Sequence, residues 1–217
     1  MDGEGIKKSI LDDGFFFIKD PEYGRKADTF ASKGYPFQTE AGLDFLSATL
    51  DDTLIRDTIE SSLKHCGLGM FKPFGSHPNT ARAPLNRTTS ELLALNVLIC
   101  RSRSRVILHK GSHMHELDAN PGGIGLLELP RESLSEPGIT PVEVKMDDGG
   151  LIITDGRLFS TVLEGVVLGV GFAVEKELKE WGKMMLPKMP NLEQKVAQMN
   201  TDRIRMNFQF VEVTRSE

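Results

Sequence analysis

Three of the five histidines lie within seven residues, in the segment HKGSHMHELD (109–118), which also carries a glutamate and an aspartate. Alternate residues of a β-strand face the same side, so His113 and His115 on a strand would form a two-imidazole platform for a metal ion. A metal barrel of this kind adds another histidine on a later strand, and the sequence has none after His115. The alternative is a turn in which Gly111 adopts a special backbone conformation and Ser112 bonds the backbone. We favour the turn and keep the metal site as an alternative.

The composition of the chain indicates a globular protein and disfavours nucleic-acid binding, a disulfide framework and a membrane span. The 217 residues are 39% hydrophobic and 26% charged, which is typical of a globular chain. A net charge of −5 disfavours nucleic acid as a partner. Cys66 and Cys100 are too few and too distant to suggest a disulfide framework, so a reducing compartment is expected. No leader-like start and no apolar run of roughly 20 residues is present, so we expect a cytoplasmic protein without a membrane span.

The first 90 residues are predicted to be helical and irregular. An aromatic-rich strand is expected at 15–20, and glycines and prolines indicate irregular chain at 23–40. Leucines and isoleucines at helical spacing predict helices at about 41–50 and 53–63, with an N-cap at the junction. The segment 72–89, punctuated by proline and glycine, is predicted to be a loop.

The remainder is predicted to be mainly β-structure. The runs at 92–100 and 105–109 flank RSRS and indicate a hairpin, while 165–174 is apolar on both faces and should be central. Helices are expected at about 175–185 and 191–200, and a final strand closes the chain. Helices followed by many short strands indicate an α+β fold with a sandwich or barrel core. The other predicted strands lie at 123–130, 142–146 and 150–155.

The order of several motifs resembles that of phytanoyl-CoA dioxygenase-like proteins, a family of iron and 2-oxoglutarate oxygenases. The motifs are ALNVLIC, SRVILHKGSH, PVEVKMDDGGLIITDGRLF and GVVLGVGFA, and DDGFFFIKDP resembles the family's opening strand. GGLIITDGRL and GFA also resemble short fungal relatives linked to secondary metabolism. The resemblance implies a double-stranded β-helix, a jelly-roll or cupin-like barrel, with N-terminal and C-terminal helices packed outside. In that family the GSH stretch is a structural turn, and its histidine is not an iron ligand.

The fold implied by the resemblance is a single domain over 1–217. Residues 1–90 would form a helical and loop elaboration, and 91–175 with 203–213 the β-core. Residues 176–200 would supply the C-terminal helices.

The family holds iron with an H-x-D/E motif and a distal histidine, and this sequence departs from both. The family spacing places His77 at the first ligand and Asn79 where the carboxylate belongs. The distal histidine should lie at or beside Phe159 or Ser160, and the 2-oxoglutarate-binding arginine should follow, yet 158–175 contains no Arg or Lys. One imidazole cannot retain Fe(II) against competing ligands. We therefore predict a degenerate metal site, with no metal and no cofactor.

A barrel without redox apparatus can still enclose a small ligand. We predict a cofactor-independent enzyme of secondary metabolism that cyclises or isomerises a hydrophobic terpenoid- or polyketide-like substrate, pericyclic Diels–Alder reactions included. His77, Asn79 and Arg157 are the predicted catalytic residues. The predicted substrate-binding residues are Arg105, Asp155, Val97, Ile107, Ile152 and Phe208.

Two other functions remain open from the sequence. The chain could be an inactive pseudo-oxygenase that stabilises an active iron and 2-oxoglutarate oxygenase as its partner subunit. The sequence is compatible with a homodimer and with a heterodimer. It could instead be a metal-dependent cupin-like enzyme that uses His113 and His115.

Overall fold

The computed structural model describes residues 3–212 as helices around two large β-sheets. The helices are α1 (Gly3–Asp13), α2 (Pro21–Ser32), α3 (Glu40–Leu50), α4 (Thr53–Ser62), α5 (Glu175–Leu178) and α6 (Pro190–Met199). The first seven strands are β1 (Phe15–Lys19), β2 (Cys66–Gly75), β3 (Thr80–Ala83), β4 (Ala94–Cys100), β5 (Ser104–Lys110), β6 (Asn120–Pro121) and β7 (Leu127–Pro130). The other seven are β8 (Thr140–Met146), β9 (Gly150–Asp155), β10 (Ser160–Glu164), β11 (Val166–Val174), β12 (Met184–Pro187), β13 (Ile204–Met206) and β14 (Phe208–Val211).

The strands form two six-stranded sheets and a small third sheet. The major sheet has the order β1-β9-β4-β11-β2-β13, and the minor sheet has the order β6-β7-β3-β10-β5-β8. Strands β12 and β14 form a separate parallel pair. This is the predicted double-stranded β-helix, in which strands β2 to β5, and again β8 to β11, alternate between the two large sheets. Within residues 3–212 the two sheets are separate, so the architecture is an open sandwich and not the closed barrel we expected.

The predicted hairpin around RSRS is wrong. Strand β4 pairs with β9 and β11 in the major sheet, whereas β5 pairs with β8 and β10 in the minor sheet. The turn between them therefore carries the chain from one sheet to the other. Arg103 occupies the left-handed region there, with a φ of 61°. The strands and the turn were predicted, but the sequence pattern does not distinguish a hairpin from a crossover.

The β-core begins before the predicted boundary at residue 91. Strand β2 lies beside β11 in the major sheet and β3 lies beside β10 in the minor sheet. Strand β3 and the last four residues of β2 lie in the segment 72–89 that was predicted as a loop. Glycines and Pro73 in β2 conceal this strand in the sequence. Residues predicted as irregular form α2, where Pro21 occupies the first turn and the Asp20 side chain accepts a hydrogen bond from Glu22 N–H.

Other predicted elements agree with the structure. Helices α3 and α4 lie where the leucine spacing placed them, and Asp52 caps α4 by accepting from Ile55 N–H at 3.2 Å. Strand β11 is buried on both faces between β4 and β2. A Cβ at Gly169 would lie 2.2 Å from the Phe74 ring, so glycine is required for this close approach.

The C-terminal part differs in detail from its prediction. The first predicted helix is only the short α5, and β12 follows it before α6 begins. The last predicted strand is divided, because β13 joins the major sheet and β14 pairs with β12; residue 213 lies outside the described range.

Each face of the major sheet covers its own apolar core. One face packs against the helices through residues such as Leu95, Val97 and Ile153. The opposite face packs against the minor sheet through residues such as Leu98 and Ile152. Among residues 3–212, no helix is long and apolar enough to cross a bilayer.

Candidate functional site

A small cavity lies between the two sheets, and we call it the inner cavity. Its volume is about 20 Å³, which is room for roughly one water molecule or one small functional group. Four polar side chains line it, together with five apolar ones. The polar residues are Thr80, Arg82, Asn96 and Ser160, and the apolar residues are Phe74, Leu98, Leu126, Val162 and Val167.

The minor sheet supplies three of the polar groups through strand alternation. In β3, Ala81 and Ala83 pack on the outer side of the sheet, so Thr80 and Arg82 project to the inner cavity. Ser160 at the start of β10 pairs directly with Arg82. The Arg82 Nε donates to Glu128 on β7 at 2.7 Å, which fixes the guanidinium. Arginine carries five N–H donors, so this bond leaves others for a ligand.

The major sheet supplies Asn96, which lies in the otherwise apolar strand β4. Its side-chain oxygen Oδ1 is buried and has no hydrogen-bond partner among the described residues. A buried acceptor without a donor costs roughly 1–3 kcal/mol, and native structures contain few of them. Gly171, opposite Asn96 on β11, keeps space beside this oxygen, since a Cβ there would lie 3.1 Å from Oδ1. Asn96 therefore lines the inner cavity, while its Oδ1 is enclosed beside Gly171.

A larger open depression adjoins the inner cavity, and we call it the outer groove. Its volume is about 510 Å³, it shares Leu126 with the inner cavity, and β2 contributes to both. Its walls include apolar side chains such as Met70, Leu85 and Trp181, and charged ones. The groove is within the size range of small-molecule sites.

The charged residues of the outer groove differ in their partners. Arg87 pairs with the buried carboxylate of Glu177 at 2.9 Å. Lys72 instead donates to the backbone carbonyl of Ile124 at 2.7 Å, and its partial burial lowers the pKa of its ammonium group below the usual range. Lys72 is thus a cation without a carboxylate partner among the described residues.

The three predicted catalytic residues are not brought together by the fold. His77 and Asn79 are exposed in the turn between β2 and β3. The His77 N–H donates to the carbonyl of Val162, at the middle of β10, while Arg157 lies in the turn before β10 begins. Counting back by the family spacing therefore led to a turn and not to a strand that faces the inner cavity.

Arg157 and Asp155 form a buried ion pair that stabilises the turn after β9. The Arg157 Nε donates to Asp155 Oδ1 at 2.9 Å and its Nη2 to Oδ2 at 2.7 Å, while Nη1 donates to the carbonyl of Thr89. The Arg157 N–H also donates to Asp155 Oδ1. With these groups engaged, the geometry supports a structural role for the pair.

The other predicted substrate-binding residues lie on different surfaces. Val97 faces the helices, and Ile152 packs within the apolar core between the sheets. Ile107 and Arg105 lie on the outer face of the minor sheet, where Arg105 pairs with Glu143 at 2.7 Å. Phe208 borders a shallow surface depression beside β12. None of these side chains lines the inner cavity or the outer groove among the described residues.

The histidine cluster is a turn, as we favoured. Residues Ser112–Met114 form a single 3₁₀ turn after Gly111, whose φ is 87°. The Ser112 hydroxyl accepts from Phe159 N–H at 2.9 Å, which is the predicted backbone bond. His113 is buried, and its Nε2 lies 3.2 Å from the carbonyl of Leu11. The alternative in which a strand aligns His113 with His115 as a metal platform is therefore wrong, because the backbone is helical there.

His109 lies on β5, facing away from the inner cavity. Its Nε2 lies 3.2 Å from the Thr161 hydroxyl, and burial, with a smaller contribution from Arg131, lowers the pKa of its imidazole to about 4. It is therefore a neutral structural histidine at ordinary pH.

Sequence reasoning missed Arg82, Asn96 and Trp181, although two of them carry a signal. Asn96 is the one polar residue in ALNVLIC, and a lone amide in a buried strand needs a partner. Arg82 alternates with alanines in TARA, a pattern typical of a strand with one polar face. Trp181 follows a short helix and has no comparable pattern.

The residues present do not fit an iron and 2-oxoglutarate centre. Ser160 stands at the predicted distal-ligand position and lies at the inner cavity, but it is not a histidine. No histidine lines the inner cavity or the outer groove in the part of the chain that the structure describes. Residues 3–212 also contain no group of three or more His, Cys, Asp or Glu side chains placed to hold a metal ion.

Solved structures with the same fold come from iron and 2-oxoglutarate-type proteins. The epimerase SnoN, in complex with Fe3+, alpha ketoglutarate and nogalamycin RO, is 11% identical; the match covers 96% of this chain and 95% of SnoN, with a TM-score of 0.54. HygX from Streptomyces hygroscopicus with iron bound is 11% identical over 79% of this chain and 86% of HygX, with a TM-score of 0.53. EctD from S. alaskensis with 2-oxoglutarate and 5-hydroxyectoine is 10% identical over 78% of this chain and 75% of EctD, with a TM-score of 0.53.

At these identities the likeness shows the fold, and it confirms the fold that the sequence motifs implied. No family model and no curated protein sequence matches this chain.

Proposed function

We propose that this chain is an isomerase or cyclase that rearranges a small molecule without a net change of oxidation state. The observation that carries the proposal is the composition of the inner cavity. Where the resemblance places an iron ligand, Ser160 lies beside Arg82 and across from Asn96. These side chains donate and accept hydrogen bonds, and they suit polar activation of a substrate better than metal binding.

The two spaces divide the work of binding and catalysis. The outer groove, of about 510 Å³, receives the body of the substrate against Met70, Leu85 and Trp181. The inner cavity, of about 20 Å³, admits one functional group. A substrate held in both spaces is restricted to few conformations, which favours an intramolecular rearrangement.

Arg82 is the proposed catalytic residue. A guanidinium held by Glu128 can donate to a substrate carbonyl oxygen and stabilise negative charge as it develops on that oxygen. Ser160, on the neighbouring strand, is placed to donate to the same group or to relay a proton. The apolar side chains of the outer groove support a substrate of the terpenoid or polyketide class, with one oxygenated end.

The neighbours support this class of function in one respect. SnoN is a non-heme alpha ketoglutarate dependent epimerase from nogalamycin biosynthesis, so this fold can carry an isomerase activity. The other features of that enzyme are not carried over, because the iron-binding residues that the family uses are not matched here.

The test is conversion of candidate polyketides and terpenoids, followed by liquid chromatography and mass spectrometry with EDTA present. We expect a product of the same mass as its substrate, formed without 2-oxoglutarate, and loss of turnover in Arg82→Gln. The control is His77→Gln, which changes an exposed turn residue outside both spaces. A product heavier by one oxygen atom, or succinate formed on adding Fe(II) and 2-oxoglutarate, would overturn the proposal.

A further inference from the structure

We propose that the outer groove binds a carboxylate group of its ligand through the ammonium group of Lys72. This inference rests on the proposed function, because it adds a second recognised group to the same substrate. It starts from the position of Lys72, which lines the outer groove and is half-buried. The substrate would then be an apolar acid whose carboxylate lies in the groove, outside the inner cavity.

The local structure of β2 directs Lys72 into the groove. The pairing of β2 with β11 shifts by one residue at Gly69, which forms a β-bulge. Beyond the bulge, Met70 and Phe74 pack in the apolar core between the sheets, so Lys72, which alternates with them, faces the same side. Among the described residues, β13 pairs with only the first three residues of β2, so Lys72 lies at an open edge of the major sheet.

The ammonium group of Lys72 has a neutral partner and no counter-charge among the described residues. It donates to the carbonyl of Ile124 at 2.7 Å, and a lysine has three N–H donors, so two are left for a ligand. Partial burial holds the pKa of this ammonium group below the usual range, because the charged form loses hydration. A carboxylate in the groove would restore the counter-charge and accept the two remaining N–H groups.

The other charged groups of the groove favour a carboxylate over a phosphate. Arg87 donates to the buried carboxylate of Glu177 at 2.9 Å, so its charge is already neutralised. Glu180 is exposed and lines the groove, and its negative charge opposes a dianion more strongly than a monoanion. One half-buried ammonium group therefore suits a ligand with a single negative charge.

The wall beside Lys72 indicates an apolar body next to the carboxylate. The Trp181 ring lies against the backbone of β2, since a Cβ at Gly69 would come within 2.3 Å of it. Met70 and Leu126 extend this apolar surface. An acid without an apolar body would leave this surface exposed to water and gain little from the groove.

Trp181 makes binding measurable without knowledge of the natural substrate. It is the one tryptophan of the sequence and it lines the outer groove, so its fluorescence reports on a ligand there. Suitable probes are 3-cyclohexylpropanoate, 3-cyclohexylpropanamide and 3-cyclohexylpropyl phosphate, which share an apolar ring and differ in their polar end. At pH 7 and low salt we expect the carboxylate to bind about tenfold more tightly than the amide.

Substitution of Lys72 tests whether its charge is the cause. Lys72→Met should lower the affinity for the carboxylate to that for the amide, and Lys72→Arg should keep the preference because it keeps the charge. Lys7→Met is the matched control and should bind like the wild type. Lys7 is also half-buried and donates to a backbone carbonyl, that of Ser61 at 2.8 Å, but it lies on α1 outside both spaces. Circular dichroism confirms that each variant is folded.

The outcomes separate this inference from the proposed function. Equal affinities for the carboxylate and the amide in the wild type, or a preference that persists in Lys72→Met, would overturn the carboxylate site even if same-mass turnover is observed. Tighter binding of the phosphate than of the carboxylate would overturn the choice of ligand. A preference for the carboxylate that depends on Lys72, without turnover of any candidate, would retain the site and overturn the proposed enzyme.

Discussion

The turn after β9 and the inner cavity both bury polar side chains, and they differ in how completely those groups are bonded. In the turn, Arg157 donates through its backbone N–H and all three side-chain nitrogens, and both Asp155 oxygens accept. In the inner cavity, Arg82 makes one ion pair, and Asn96 Oδ1 has no partner among the described residues. Saturated polar groups stabilise the fold, whereas a buried group without a partner lowers its stability.

The largest effect is expected from breaking the saturated cluster. Asp155→Ala leaves the Arg157 guanidinium buried without a counter-charge, and the free energy of unfolding should fall by about 3–5 kcal/mol. Urea denaturation followed by circular dichroism measures this change. Glu143→Ala, which removes the exposed partner of Arg105, is the control and should leave the midpoint unchanged. A similar loss in both variants would contradict the structural role of the turn.

His109 is intermediate between the two regions, because its side chain is buried and hydrogen-bonded but can still take up a proton. Its pKa is lowered to about 4 by burial, below the unfolded value near 6.5, so the unfolded state binds more protons between these pH values. Stability should therefore fall as pH decreases from about 6.5 to about 4, by on the order of 2 kcal/mol from this residue. Urea unfolding at several pH values measures it.

His109→Gln removes the titration and can keep the bond to Thr161, so its pH dependence should be shallower than that of the wild type. His77→Gln, in an exposed turn, should reproduce the wild-type dependence. Parallel curves for the wild type and His109→Gln would show that other groups control the acid range.

Removing the unsaturated acceptor should have a smaller effect on stability and the opposite sign. Asn96→Leu eliminates a buried oxygen without a partner, and the free energy of unfolding should stay constant or rise by about 1 kcal/mol. A loss of stability as large as that of Asp155→Ala would place Asn96 with the structural groups.

The smallest effect is expected at the two cysteines, whose thiol groups are buried and should be unreactive in the folded protein. Burial raises the pKa of the Cys100 and Cys66 thiols to about 12, so thiolate is scarce at neutral pH. Ellman's reagent should not react with the folded protein within minutes at pH 8, and both thiols should react in urea. Rapid labelling of the folded protein would show that these regions open to solvent.

The fold was predictable from the sequence to a greater extent than the site. The order of the motifs, through the family they resemble, implied the double-stranded β-helix, and the run 165–174, apolar on both faces, indicated the central strand β11. What failed was local: Pro73 and several glycines disguised β2, and the turn at 101–104 resembled that of a hairpin. Sheet membership depends on pairing between distant strands, which local patterns do not encode.

In strand β4, the residue predicted to line the site is the immediate neighbour of the residue that does. Val97 was chosen as a lining residue, but β4 is apolar on both faces and its odd-numbered residues face the helices. Asn96, its neighbour, points inward. Where both faces are buried, alternation cannot tell which one is internal, and the lone polar residue is the better indicator. By contrast, Asp155 and Arg157 were chosen because two charged residues lie close together in the sequence. A structural ion pair produces the same pattern as a functional site.

The alternation of consecutive strands between sheets has a consequence for how this chain acquires its structure. Phe15 in the edge strand β1 pairs with Thr154 in β9, and Gly67 in β2 pairs with Ala173 in β11. The major sheet therefore cannot be completed until most of the chain has left the ribosome. Folding dominated by such distant pairings is slow, since the entropy of closing long loops is lost before the contacts form. During synthesis, the apolar strand β2 would wait for its partner β11, and this interval is when the nascent chain is most exposed to aggregation.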